Sequence, residues 1–190
     1  FVLRSRTDAK QPSSVHEKSL SETLRVAFNT PSYIYLVVGF FVCGFHVAFI
    51  ATHMPGVIQV CGLPPTVSGW SLGLIGLFNI VGSIFAGWYI SKRSMRLFLS
   101  YTYFARCIIV LLFLASPKDL ISVILFSTAL GLTYFSVIPA TAGLVGKMFG
   151  PQFMATLFGF ALFSHQIGGF LGAYLGGYFF SVTGDYTTVW

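Results

Sequence analysis

The chain has 190 residues, of which 55% are apolar or aromatic and only 8% charged, with 20 Gly, 21 Phe and a formal net charge of +6. About a quarter of the residues of a soluble domain are charged, so these values exclude a water-soluble globule and point to several membrane spans. Cys43, Cys61 and Cys107 form no CxxC or metal-ligand spacing, and in apolar runs a cysteine reads first as a small hydrophobe.

Residues 1–30 are polar, with Arg4, Arg6, Lys10, Lys18 and Arg25 set against Asp8, Glu17 and Glu22. Ser19-Leu20-Ser21-Glu22 fits a capping box, and Leu20, Leu24 and Phe28 recur at helical spacing. Two readings stand for this segment: a short amphipathic helix on the membrane surface, or a linker too polar to fold by itself.

Five stretches then supply the roughly 20 apolar residues needed to cross about 30 Å of hydrocarbon. They run from Tyr33 to Thr52, Trp70 to Ile90, Leu97 to Ala115, Leu120 to Leu144 and Phe153 to Val182. The short alternating segments of a membrane β-barrel are missing. The expected fold class is therefore an all-α membrane protein of five transmembrane helices. Residues 53–68, with Pro55, Gly56, Gly62, Pro64 and Pro65, read as a turn-rich loop. The other connections are short, which makes successive spans antiparallel. Arg4, Arg6, Lys10, Lys18, Arg25, Lys92, Arg93, Arg96 and Lys147 then share one side, and Lys118 alone takes the other. The positive-inside rule assigns the basic side to the cytoplasm. The charge is thus a topology signal, and nucleic acid is not an expected partner.

Polar residues inside the spans are the candidates for function. Arg106 sits near the middle of the third span, where an arginine costs from roughly 2.5 kcal/mol upward. No Asp or Glu falls within any span. Two readings remain open for Arg106: an anion-attracting charge on a substrate path, or a lock held by backbone carbonyls and tyrosine hydroxyls. His165 lies mid-span in the fifth stretch, followed by Gly168, Gly169 and Gly172 on one stripe and flanked by Gln166. Glycines let another backbone approach, which turns His165 towards the bundle. His46 shares a face with Gly39 and Cys43, and His53 lies near the outer end of the first stretch. Asn79 shares a face with Gly76, Gly82 and Ser83, and Tyr134 lies mid-membrane beside Thr133 and Ser136, with Pro139 kinking the same helix. A lone membrane histidine is often only a helix–helix hydrogen bonder. A haem or metal held by His46, His53 and His165 lacks a matching ligand set, so no cofactor is expected.

Several blocks resemble the C-terminal half of a major facilitator superfamily transporter. Gly39-Phe40-Phe41-Val42-Cys43-Gly44-Phe45-His46 is similar to the first helix of that half, and Gly76-Leu77-Phe78-Asn79-Ile80-Val81-Gly82-Ser83 to the next. Gly87-Trp88-Tyr89-Ile90-Ser91-Lys92-Arg93-Ser94-Met95-Arg96 resembles the loop motif GxxxDRxGRR, with Ser91 in place of Asp, Ser94 in place of Gly and Met95 in place of a basic residue. An aspartate-based latch is therefore not carried over. Leu157-Phe158-Gly159 and Ser164-His165-Gln166-Ile167-Gly168-Gly169-Phe170-Leu171-Gly172 resemble the penultimate helix.

The resemblance implies that residues 1–30 end a cytoplasmic central loop. Residues 31–190 would hold helices seven to eleven of twelve, as part of a longer protein that also supplies an N-terminal half. It further implies an integral multi-pass protein of a plasma or bacterial inner membrane, not an enzyme, that moves a small solute by alternating access. His46, Asn79, Tyr134, His165 and Gln166 become substrate-binding candidates, while Arg106, on a peripheral helix, shifts towards a structural charge. Similarity to the monocarboxylate and oxalate/formate branch suggests a small organic anion. The rival expectations are a membrane redox protein and a truncated or non-transporting relative.

Overall fold

The computed structural model describes residues 19–184. The basic residues Arg4, Arg6, Lys10 and Lys18, and the carboxylates Asp8, Glu17 and Asp185, lie outside the described residues. Seven helices follow in order: α1 (Leu20–Phe28), α2 (Pro31–Val60), α3 (Pro65–Lys92), α4 (Met95–Ala115), α5 (Leu120–Thr133), α6 (Val137–Phe149) and α7 (Pro151–Thr183). At about 1.5 Å per residue, α2, α3, α4 and α7 each reach across a bilayer, whereas α5 and α6 do so only together. Five candidate spans result, the fourth covering Leu120–Phe149. Trp70, Ile84, Phe104, Leu112 and Ile121 stand exposed on the surface of the bundle. So many bare apolar side chains suit lipid and not water.

The capping box expected at residues 19–22 is not closed. Ser19 does occupy the N-cap of α1, but its hydroxyl pairs with that of Ser21 at 3.0 Å and caps no backbone amide. Thr23 and Ala27, four residues apart, are the buried pair of α1, while Leu20 and Phe28 remain exposed. The short helix meets the bundle through these small residues, with Leu24 half-buried beside them and the Phe28 ring edge-on to Tyr33 and Phe160.

The loop expected at residues 53–68 is also shorter than the proline and glycine content suggests. Helix α2 continues through Pro55 and Gly56 to Val60, because Met54, Val57 and Ile58 bury themselves against the core. Packing outweighs the missing proline N–H, which membrane helices tolerate. The helix ends in a Schellman motif: the Gly62 amide donates to the Gln59 carbonyl at 2.9 Å and the Leu63 amide to the Ile58 carbonyl at 3.1 Å. Gly62 has φ of 73°, the left-handed conformation that this cap requires. At the same side of the bundle, Asp119 caps α5 by accepting the Ser122 amide at 2.8 Å, which holds its carboxyl below the usual range.

Two close seams organise the interior. Along α2 and α7, a Cβ on Gly168 would land on the Phe41 carbonyl and one on Gly172 on the Phe45 carbonyl, while one on Gly44 would strike the His165 carbonyl. Along α3 and α5, Gly82 meets the Leu132 backbone and Gly131 meets Ile75. In lipid, where the hydrophobic effect does not press helices together, backbone proximity of this kind supplies dispersion contact. The stripe of glycines expected to bring a neighbour against the fifth stretch thus does so, and the neighbour is α2.

Candidate functional site

The fourth span is broken between α5 and α6, at Tyr134–Ser136. Pro139 lies in the first turn of α6, just after the break. A broken helix leaves backbone groups without their i→i+4 partners, and in a membrane core each must be satisfied from within the protein. Local bonds meet part of this need, with the Tyr134 amide donating to Gly131 and the Ile138 amide to Phe135, both at 3.1 Å. Side chains from other helices supply further partners.

Arg106 on α4 is the first of these. Its guanidinium donates to the Thr133 carbonyl and, at 3.0 Å, to the Tyr134 carbonyl. A third bond, from the other terminal nitrogen, reaches the Cys43 thiol on α2 at 3.0 Å. Arg106 is 5% exposed, and its Nε is buried without a hydrogen-bond partner. One terminal nitrogen serves both carbonyls and the other the thiol, so the planar fork spans α2 and the break at once, which a single ammonium nitrogen does not do. Two backbone carbonyls, as in the lock reading, are among the partners of Arg106, and a thiol stands where that reading expected tyrosine hydroxyls.

Asn79 on α3 works from the opposite side of the break. Its Oδ1 accepts the Phe135 amide at 3.1 Å and lies 3.5 Å from the Ser83 hydroxyl. Asn79→Ala is expected to leave that amide unpaired and to cost about 1–2 kcal/mol. Unfolding of the variant in mixed micelles checks this. Wild-type stability would mean that the amide is served by another acceptor.

Tyr134 is 8% exposed, and its hydroxyl donates to the Val47 carbonyl on α2 at 2.9 Å. The break is thereby tied to α2 as well as to α3 and α4. Seen together, Arg106, Asn79 and Tyr134 form a polar frame around three residues of irregular backbone.

The histidines fall into different places. His165 on α7 is half-buried; its ring lies 5.2 Å from that of Phe40, and its Nδ1 is 3.3 Å from Gln166 Oε1. It also interacts with the Cys43 thiol, so that Cys43 stands between Arg106 and His165. Gln166 is exposed. His46, one turn along α2 from Cys43, lies in the field of Arg106, and both of its ring nitrogens are buried with no hydrogen-bond partner. His53 lies in the last turns of α2, towards its outer end. It is buried against α7, with Nε2 2.8 Å from the Ala173 carbonyl and its ring close to Gly176.

The structure thus brings His46 and His165 to one locus through Cys43 and Arg106, with Gln166 at its exposed edge. It places Asn79 across the break and gives the Tyr134 hydroxyl a backbone partner. Cys43, a small hydrophobe by its sequence surroundings, is a polar link in the folded chain. The available signal is its helical spacing from His46, three residues on.

These features define a multi-pass, integral membrane protein of packed α-helices with a polar, carboxylate-free centre among the described spans. The family model of the Major Facilitator Superfamily matches residues 1–173. The chain is also 30% identical over 160 residues to the uncharacterized MFS-type transporter YcxA of Bacillus subtilis (strain 168). That match covers 81% of this chain and 38% of the relative, so the chain spans well under half of the relative's length. The chain belongs to the major facilitator superfamily.

Proposed function

We propose that the chain forms helices seven to eleven of a twelve-helix secondary transporter, with residues 1–30 closing the central cytoplasmic loop and residues 31–190 carrying the spans. In this reading the protein is a carrier, not an enzyme. An N-terminal half of the same protein completes it, and the two halves rock around a midplane site by alternating access. The preferred substrate is a small organic anion.

The observation that supports this reading is the charge balance at the centre. Arg106 is neutralised by no carboxylate among the described spans; two carbonyls and a thiol are its hydrogen-bond partners. Its field extends towards His165 and Gln166, where α7 is exposed. An intramembrane site of this sign attracts an anion, because low dielectric leaves the charge poorly screened. His165 and Gln166 offer hydrogen-bonding groups to the substrate, His165 carries the coupled proton, and the unpaired nitrogens of His46 give the site reserve capacity. Asn79 and Tyr134 contribute by holding the irregular backbone of the fourth span beside it.

Uptake of a panel of mono- and dicarboxylates into proteoliposomes containing the full-length protein tests the proposal. His165→Ala is expected to lower uptake about tenfold or more, the worth of a hydrogen bond to a charged partner, and to flatten its pH dependence. Normal uptake by that variant at every pH would remove the proton role. Transport of cations alone by the wild type would remove the anion.

A further inference from the structure

A second polar locus lies away from the midplane, at the end of the bundle where α2 and α4 begin and α6 finishes. A cavity of about 320 Å³ opens there between α1 and the bundle, lined by Thr23, Thr30, Ser32 and Arg96, with Val26 and Met148 as apolar walls. Thr23 is 4% exposed, and its hydroxyl oxygen is buried with no hydrogen-bond partner. A threonine on a helix ordinarily satisfies its hydroxyl on the carbonyl one turn back, as Thr30 does on Val26 at 2.7 Å. The Thr23 side chain lines a cavity that also receives a cation, and its hydroxyl oxygen, closed from that cavity in this rotamer, is left without a partner.

The other lining groups match this polarity. Helix α2 starts at Pro31, so the Ser32 amide has no acceptor within the helix and the positive end of the helix dipole faces the cavity. Arg96 is exposed and has no ionic partner among the described residues. At this end Arg25, Lys92, Arg93, Arg96 and Lys147 face one described carboxylate, Glu22. The ligand this combination recognises is a phosphate-class anion: a guanidinium, a helix N-terminus and hydroxyl donors against an apolar wall. Its depth, at the start of two spans, is that of lipid headgroups.

We propose that this cavity binds a phosphate group, supplied by an anionic phospholipid, which fixes α1 against the bundle. Ser32 donates its hydroxyl hydrogen to the phosphate oxygens, Thr23 does so after rotating about χ1, Arg96 neutralises the charge, and an acyl chain runs along Val26 and Met148.

The intact protein, purified and offered phosphatidylglycerol, phosphatidylcholine or inorganic phosphate, tests the assignment by native mass spectrometry and thermal unfolding. Phosphatidylglycerol should be retained about fivefold better than phosphatidylcholine, the factor contributed by one basic residue near a membrane surface. Arg96→Gln should abolish that preference. Thr23→Val should raise the lipid-free unfolding temperature, since it deletes an unpaired buried hydroxyl, yet reduce the gain on adding phosphatidylglycerol. Lys147→Gln, at the same end but outside the cavity, should keep the preference. Competition by inorganic phosphate would confirm the phosphate chemistry and move its source from lipid to the free ion. Equal retention of the two lipids, an unchanged preference in Arg96→Gln, or an equal loss in Lys147→Gln would overturn the site.

Discussion

Replacing Gly168 with valine is expected to force α2 and α7 apart and to lose most of the folded protein from the membrane. The glycine lies where a Cβ would occupy the position of the Phe41 carbonyl oxygen and crowd the Phe45 amide. Neither is the tip of a flexible side chain, so the collision can be relieved only by moving a helix. Overpacking in a well-packed interior typically costs about 1–3 kcal/mol and sometimes more. Here the shift also spreads to Gly172 against Phe45 and to Gly44 against His165 on the same seam. Gly159 also lies on α7, but a Cβ there would point into open space, so Gly159→Val is the matched control and should leave folding intact. Expression followed by size-exclusion profiles in detergent separates the two. A monodisperse, wild-type profile for Gly168→Val would show that the seam is looser than its backbone contacts imply.

Loss of the guanidinium is the second large effect. Arg106→Met removes a charge that is costly at mid-membrane, which taken alone would stabilise the protein. The same change leaves the Thr133 and Tyr134 carbonyls without their donors and the Cys43 thiol without its partner. Each unsatisfied buried group costs about 1–3 kcal/mol, so two carbonyls, about 4 kcal/mol together, outweigh a relief of roughly 2.5 kcal/mol and a net loss of about 1–2 kcal/mol is expected. Arg106→Lys keeps the charge but has no planar fork, and should fall between methionine and wild type. Reversible unfolding in mixed micelles gives the order. If methionine equals wild type, the fourth span has closed its own break by bonding Thr133 and Tyr134 within a continuous helix.

Both effects act on elements that the sequence makes visible to different degrees. The glycine stripe around His165 is legible because glycines spaced by three and four residues share a helix face. Its partner is not, since any neighbouring span could have filled the role. Arg106 is conspicuous as a charge in an apolar run, yet its acceptors are main-chain atoms 27 and 28 residues away. A carbonyl has no letter in a sequence. The same holds for Asn79, whose partner is the Phe135 amide, 56 residues on.

The number of spans and the basic–neutral alternation of their ends were decided by the sequence, because length and apolarity are local properties that a bilayer reads one segment at a time. Where α2 stops, where the fourth span breaks, and that Cys43 joins Arg106 to His165 were decided only in the assembled bundle. Those outcomes depend on which side chain is near enough to bury Met54 and Ile58, to accept a guanidinium proton or to satisfy an orphaned carbonyl. Such proximity is set when helices pack, and it overrides the local preferences of proline, glycine and cysteine.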